Sequence, residues 1–380
     1  MSDRYDVIVI GVGTMGSAAC YHLARRGVRV LGLEQFDIPH GRGAHHGFSR
    51  MIRSSYYEDP SYVPLIQRSY ELWHELEACS GMKLLHMVGG LYMGPRDSNW
   101  VNRSIESAQR HGLPHEVLDR DEIARRHPVF HIPDDYFALF ETQAGLLRPE
   151  WIVAAHCEHA MRAGAVLHGH APVTTVNENA AGVTVTTPRG RYQADRVIVA
   201  GGAWASRLVG DLGVELKASR RVLGWVWPKR PERFELGSFP AFAIDDLAGG
   251  VHYGFPMLPD NPGFKIAHDY RHYAAPAVNP DTANRELADD ADDDCRIALR
   301  RHIPDADGPL LAARVCFYTI SPDGHPIVGV HPTRPRVIVA AGFSGHGFKF
   351  SSGIGETLAD LATLGDTTVA IALFAPGRFR

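Results

Sequence analysis

The chain has 380 residues, of which 45% are apolar, and a formal net charge of −4 with both signs scattered along it. That length calls for two domains or one domain with a large insertion, while the lack of any basic run argues against a nucleic-acid partner. No apolar stretch approaches the ~20 residues of a membrane span, and the opening MSDRYDVIVIG enters a strand-like run without signal-peptide architecture, so a cytoplasmic location is expected.

Tyr5 to Ile10 is a short β-branched run that reads as a buried parallel strand. GVGTMG follows at Gly11–Gly16, helical spacing runs from Ser17 to Arg26, and Gly27 stops the helix. Val28 to Leu33 is a second strand ending at Glu34, which completes a βαβ unit. Two later strands also run into glycines: ADRVIVAGGAW (Ala194–Trp204, with Gly202) and RVIVAAGFSGHG (from Arg336), the latter leading into a helix from Ser352 to Leu364. Strand ends that meet glycine turns line the ligand crevice of a doubly wound sheet. Between them, Phe239 to His268 has the texture of a hairpin series with turns at Gly249-Gly250 and at PDNPG, and Asp281 to Ala306 is acidic, helical or loop-like.

The fold class expected is α/β: a Rossmann-like FAD-binding domain with an inserted antiparallel-sheet substrate domain. The first takes residues 1–80, 145–210 and 316–380; the second takes 81–144 and 211–315. A GxGxxG is weak evidence alone, but here it sits between strand and helix with an acid closing the next strand. Gly11 makes the turn, Gly13 admits a pyrophosphate, Gly16 allows close helix packing, and the helix N-terminus favours the phosphate charge. Glu34 accepts ribose hydroxyls and disfavours a 2′-phosphate. The irregular polar and aromatic stretch FDIPHGRGAHHGFSRMIRSSYYEDP then favours FAD over NAD. Five cysteines (Cys20, Cys79, Cys157, Cys295 and Cys316), odd in number and never in a CxxC pair, argue against disulfides and a thiolate zinc site. The histidines show no HExxH-like spacing, so no metal is expected. Only five of the 39 basic residues are lysine, and two of them, Lys265 and Lys349, fall in motif-like stretches.

VIVIGVGTMGSAA, HHGFSRMIR, YVPLIQRSYELWHEL, HYGFP, GFK, VCFYTISPDGHPIVG and GFSGHGFKFSSGIGE span the chain. Through them it resembles the monomeric sarcosine oxidase and N-methyltryptophan oxidase family. The resemblance implies FAD tethered by a thioether from Cys316, and oxidation of the C–N bond of a secondary amino acid with molecular oxygen as acceptor. The products implied are the demethylated amino acid, formaldehyde and hydrogen peroxide. Arg53 and Lys349 match positions that hold the substrate carboxylate, and Lys265 matches the lysine that promotes reaction with oxygen. His46 and Arg50 match positions beside the flavin, with His45 as their neighbour, and Tyr253 matches a substrate-side tyrosine. Gly345 and Gly347 offer backbone N–H groups to the flavin and the substrate. A monomer is implied.

One departure stands out. The family commonly places a histidine four residues after the lysine; here His268 comes three after Lys265, which in a strand turns it to the opposite face unless a bulge restores it. This departure leaves the substrate open, and the loop MLPDNPG together with the small Ala243 points to one bulkier than sarcosine. Alternatives are an oxidase of another amine (glycine, a D-amino acid or a cyclic imino acid) and a non-catalytic flavoprotein, against which the set Arg53, Lys265, Cys316 and Lys349 speaks.

Overall fold

The first strand, Arg4–Ile10, is apolar at consecutive positions because both of its faces are covered. In the computed structural model, which describes residues 4–245, 250–261, 263–270, 276–287 and 293–380, Val7 and Val9 enter one core with residues of the helices Thr14–Arg25, Tyr62–Ser80 and Ser351–Thr363. Ile8 and Ile10 enter a second core on the other side of the sheet. Alternation along the strand thus sorts one apolar run into two cores.

This strand lies in the middle of a sheet. Val166–His168, Val30–Leu33, Arg4–Ile10, Gly190–Val199 and Arg334–Ala341 run parallel in that spatial order. Ile327–His331 adds an antiparallel edge, and the strands Thr175–Asn179 and Gly182–Thr187 form an antiparallel extension on the first half of Gly190–Val199. The parallel strands deliver Gly11, Gly201 and Gly342 to one end of the sheet. Helices begin at Thr14 and Ser351, slightly earlier than the periodicity suggests.

A second eight-stranded sheet has the order Leu310–Ile320, Lys217–Val226, Phe264–Tyr270, Gly250–Phe255, Ala241–Asp245, Gly90–Pro95, Tyr136–Glu141 and Glu116–Leu118. All its pairings are antiparallel except Ala241–Asp245 with Gly90–Pro95. One face carries Leu91, Met93, Phe242, Ile244, Phe264 and Ile266 into a core shared with the helix Asp293–His302. The other face carries Cys316, Arg221, Leu223, Trp225, Lys265, Ala267, Tyr253 and Phe255, related by cross-strand register. The domain boundary drawn at 316 falls inside the strand Leu310–Ile320. Gly249 of the turn at Gly249-Gly250, part of PDNPG and part of the acidic stretch after Asp281 lie outside the described residues. Among the described residues, no helix is long and apolar enough to cross a membrane.

Candidate active site and cofactor cavity

A cavity of about 490 Å³ runs along the glycine ends of the first sheet, from Glu34 to Gly345 and Gly347. Its glycines are there because side chains do not fit. A Cβ on Gly16 would lie 1.7 Å from the Gly11 carbonyl oxygen, and one on Gly11, whose φ is +87°, would lie 2.5 Å from the Ala200 oxygen. Gly13 occupies the N-cap of the first helix, and Gly202, with φ +52°, lines the far wall. Glu34 is buried beneath this end; its carboxylate accepts from the N–H groups of Val12 (2.9 Å) and Phe36 (3.1 Å). At the other end, Ser344 N–H donates to the Thr319 carbonyl (2.9 Å), which ties the late glycine loop to the strand carrying Cys316. A Cβ on Gly345 (φ +91°) would fall 2.3 Å from the Tyr318 ring.

The segment from His45 to Arg50 crosses between cavity and second sheet, and two charged side chains hold it. Glu150 accepts from Gly47 N–H (2.6 Å) and Phe48 N–H (3.1 Å). Lys265 Nζ, buried, donates to the carbonyls of Gly47 (2.8 Å) and Ser49 (2.7 Å) and lies 5.1 Å from the Phe255 ring centre. Burial, then the Arg50 charge, pushes the Lys265 ammonium well below its ordinary range. Arg50 donates to the carbonyls of Ser49 and Ala44, and its Nη2 lies 3.7 Å from Cys316 Sγ. His45 lines the cavity and accepts from His40 N–H (3.3 Å). Burial, then neighbouring positive charge, holds His45 down at about 3 and His46 at about 2, so both imidazoles are neutral.

Arg53 and Lys349 meet at Tyr56. The Arg53 guanidinium lies 4.4 Å from the Tyr56 ring centre, and Lys349 Nζ lies 3.2 Å from its hydroxyl. Both cations are buried. Arg53 donates to the Ser55 carbonyl (2.6 Å) and to Glu58 (3.1 Å), and Lys349 donates to the His346 carbonyl (3.0 Å). Burial opposes ionisation of Glu58, but the charges of Arg53, His346 and Lys349 outweigh it and hold its carboxyl below the usual range. Lys349 is pushed down to about 7, by burial first and by Arg53 second. The turn that presents Arg53 hangs on buried Glu141, which accepts from Ser54 N–H (3.0 Å) and Ser55 N–H (2.7 Å).

Tyr253 sits cross-strand from Ala267 and Ala243 on the site face, its hydroxyl pushed up to about 12 by burial. His268 is not among the residues brought together there. The register between Gly250–Phe255 and Phe264–Tyr270 is unbroken, so no bulge intervenes, and the His268 ring stacks on His252 at 4.1 Å on the opposite face. Asp269 takes the site-facing place instead, two positions beyond Ala267. Sequence reasoning missed Asp269, Tyr56, Glu58, Glu141 and Glu150. Strand parity from Lys265 was a signal for the first; the others are single residues with no spacing to mark them.

The arrangement fits FAD. Gly11 and Gly345 leave no room for a side chain at the two ends of the cavity, Glu34 closes its nucleotide end, and Cys316 lies at the other end, directly before the lining residues Phe317 and Tyr318. Both ring nitrogens of buried His46 have no hydrogen-bond partner among the described residues. Such a group costs about 1–3 kcal/mol unless something pairs with it.

Fold and site together define a dinucleotide-binding oxidoreductase in which two buried cations, Arg53 and Lys349, meet at Tyr56. The chain belongs to the family described as FAD dependent oxidoreductase, whose profile matches residues 6–361. It is 44% identical to monomeric sarcosine oxidase of Streptomyces avermitilis, covering 100% of this chain and 98% of that one. It is 35% identical to N-methyl-L-tryptophan oxidase of Yersinia pestis, covering 99% and 100%. Among solved structures it is similar to NikD, described as an unusual amino acid oxidase essential for nikkomycin biosynthesis, with a TM-score of 0.85 and 25% identity over 99% of this chain and 98% of that one.

Proposed function

We propose that this FAD-dependent oxidoreductase is an oxidase of N-methyl, secondary amino acids. It gives the demethylated amino acid, formaldehyde and hydrogen peroxide, acts as a single chain, and carries its FAD covalently on Cys316. The observation that carries the reading is the pair of buried cations, Arg53 and Lys349, converging on Tyr56 beside the cofactor cavity. A buried guanidinium and a buried lysine that carries its charge below about pH 7 are suited to a carboxylate. When bound, FAD supplies the two-electron acceptance and passes the electrons on to oxygen.

The residues do the rest. Arg53 offers the substrate carboxylate a planar fork and Lys349 a point charge; Glu58 yields its place on Arg53 as the substrate enters. Neutral His45 and His46 keep additional positive charge away from the amine, which must be unprotonated to be oxidised. Tyr253 walls the pocket from the second sheet. Lys265, whose ammonium burial holds well below its ordinary range, stabilises negative charge that develops beside it, as it does when oxygen is reduced. Arg50, whose Nη2 lies 3.7 Å from Cys316 Sγ, sets a positive charge beside the sulfur that would form the thioether. Ala243, small and cross-strand from Tyr253, supports substrates bulkier than sarcosine.

The test is a panel of N-methyl amino acids with peroxide and formaldehyde measured together. Peroxide with equimolar formaldehyde is expected, and peroxide without formaldehyde moves the assignment to an oxidase of another amine. For the tether, acid precipitation of wild type is expected to give a yellow pellet and Cys316→Ala a colourless one. A yellow Cys316→Ala pellet removes the attachment.

A further inference from the structure

The turn Gly47-Phe48-Ser49 is strained. Gly47 (φ +102°) and Phe48 (φ +65°) are both left-handed, and the Ser49 N–H donates back to the Gly47 carbonyl at 2.8 Å. A hydrogen bond that spans one residue of positive φ makes the rarer hand of γ-turn, which a bulky residue seldom adopts. Such a turn persists only where its surroundings hold it. Here they hold it from two sides. Glu150, in the first turn of the helix Pro149–Arg162, accepts from the N–H groups of Gly47 (2.6 Å) and Phe48 (3.1 Å). Lys265 Nζ donates to the carbonyls of Gly47 (2.8 Å) and Ser49 (2.7 Å). The Phe48 ring meets Trp225 edge-on at 5.8 Å, and Lys265 Nζ lies 5.6 Å from the centre of that same Trp225 ring.

The consequence falls on Lys265. An ammonium has three N–H donors. The turn takes two of them, and among the described residues the third has no partner. The two carbonyls therefore set where the third donor points, and Glu150 sets where the two carbonyls are. Glu150 also acts by charge. Arg50 opposes the Lys265 proton, whereas Glu150 and Cys316 favour it; Lys265 in turn acts on His46, and Arg314 lies 4.9 Å from the Phe48 ring centre. In a thioether Cys316 carries no charge, which leaves Glu150 as the anion of that set.

Resting on the reading of Lys265 as the group that serves oxygen, we propose that Glu150 is a positioning residue for the same step: through the strained turn it aims the Lys265 ammonium and balances its charge. The step is the one in which oxygen takes two electrons from the reduced cofactor and two protons to become hydrogen peroxide.

The experiment is a double-variant cycle on the holoenzyme, with Glu150→Gln made alone and in the Lys265→Met background. The flavin is reduced photochemically, so no substrate is needed, and reoxidation by oxygen is followed by stopped flow. Glu150→Gln alone is expected to slow reoxidation about tenfold and to change reduction by substrate far less. In the Lys265→Met background the same substitution is expected to change reoxidation by less than about twofold, because its effect passes through the missing ammonium. A second readout is independent of turnover. The chain has five lysines, so carbon-13 at lysine Cε gives a countable set of signals, and that of Lys265 is the one missing from Lys265→Met. Removing a nearby anion favours the neutral amine, so Glu150→Gln is expected to make Lys265 lose its proton about one pH unit lower. Glu150→Asp, which keeps the charge and draws it back by one methylene, is expected to restore most of that titration while still slowing reoxidation. Equal losses in the two backgrounds, equal losses in the two half-reactions, or an unmoved Lys265 titration each overturn the proposal. Should Glu150→Gln fail to fold, Glu150→Asp carries the same cycle with the same overturning result. If no N-methyl amino acid reduces the flavin, the proposed substrate class falls, while photoreduction still decides the role of Glu150. If Lys265→Met reoxidises as fast as the wild type, the reading of Lys265 falls and this proposal with it.

Discussion

The two sheets meet at one site but recognise by different means. The first uses backbone: Gly11 and Gly16 pack so closely that a Gly16 Cβ would lie 1.7 Å from the Gly11 oxygen, and Gly13 caps the first helix. The second presents charged side chains: Lys265 and Asp269 on one strand and Arg221 on its neighbour, while Arg53 and Lys349, from segments outside that sheet and nearly three hundred residues apart, meet at Tyr56. A backbone cradle can hold one kind of ligand only. A set of charged side chains can be retuned one residue at a time.

The largest break in this comparison is expected at Lys265. Lys265→Met removes the ammonium that donates to the Gly47 and Ser49 carbonyls. Loss of a positioned charge at a developing anion costs on the order of 10²–10³ in rate. Stopped-flow measurement of the two half-reactions is expected to show that loss in reoxidation by oxygen, with reduction by substrate affected far less. Equal losses in both would mean that Lys265 merely fastens the loop from Gly47 to Ser49.

Arg53 comes next. A charge-assisted hydrogen bond is worth about 1.5–3 kcal/mol, so Arg53→Ala is expected to raise KM for a carboxylated substrate by roughly 10- to 100-fold, with a smaller change in kcat. Removing Arg53 alone leaves Glu58 as a buried charge short of its partner, which destabilises the fold. Arg53→Ala/Glu58→Gln keeps the measurement clean. An unchanged KM in the double variant places the carboxylate elsewhere.

The same contrast explains what could be read before the fold was known. The dinucleotide motif was legible because its glycines obey a fixed local spacing between a strand and a helix. Family resemblance located Arg53, Lys265, Cys316 and Lys349, yet nothing in their spacing shows that Arg53 and Lys349 share Tyr56. Glu141 and Glu150 were invisible because each acts by accepting backbone N–H groups from a distant turn, which no local pattern records. His268 is the instructive case. Parity alone turned it away from Lys265, and the unbroken register left it stacked on His252. The same parity, read one residue further, places Asp269 on the site face.

The smallest expected effect is a pH dependence, and it separates the two sheets most cleanly. Burial and then Arg53 bring Lys349 down to about 7, so in the ligand-free protein its ammonium loses its proton as pH rises through neutrality. An anion binds the charged form, and the affinity of an inert carboxylate such as 3,3-dimethylbutanoate, itself ionised throughout, is therefore expected to be highest below pH 7. Above pH 7 its dissociation constant should rise, by at most tenfold per pH unit. Binding at pH 7–8 should also take up part of a proton, which calorimetry in buffers of different ionisation enthalpy detects. Lys349→Met is expected to bind more weakly below pH 7 and to lose both the slope and the proton uptake. His45 and His46, held at about 3 and about 2, stay neutral across this range and contribute no slope. A wild-type profile that is flat from pH 6 to 9 would remove Lys349 from the carboxylate site and leave Arg53 as its anchor.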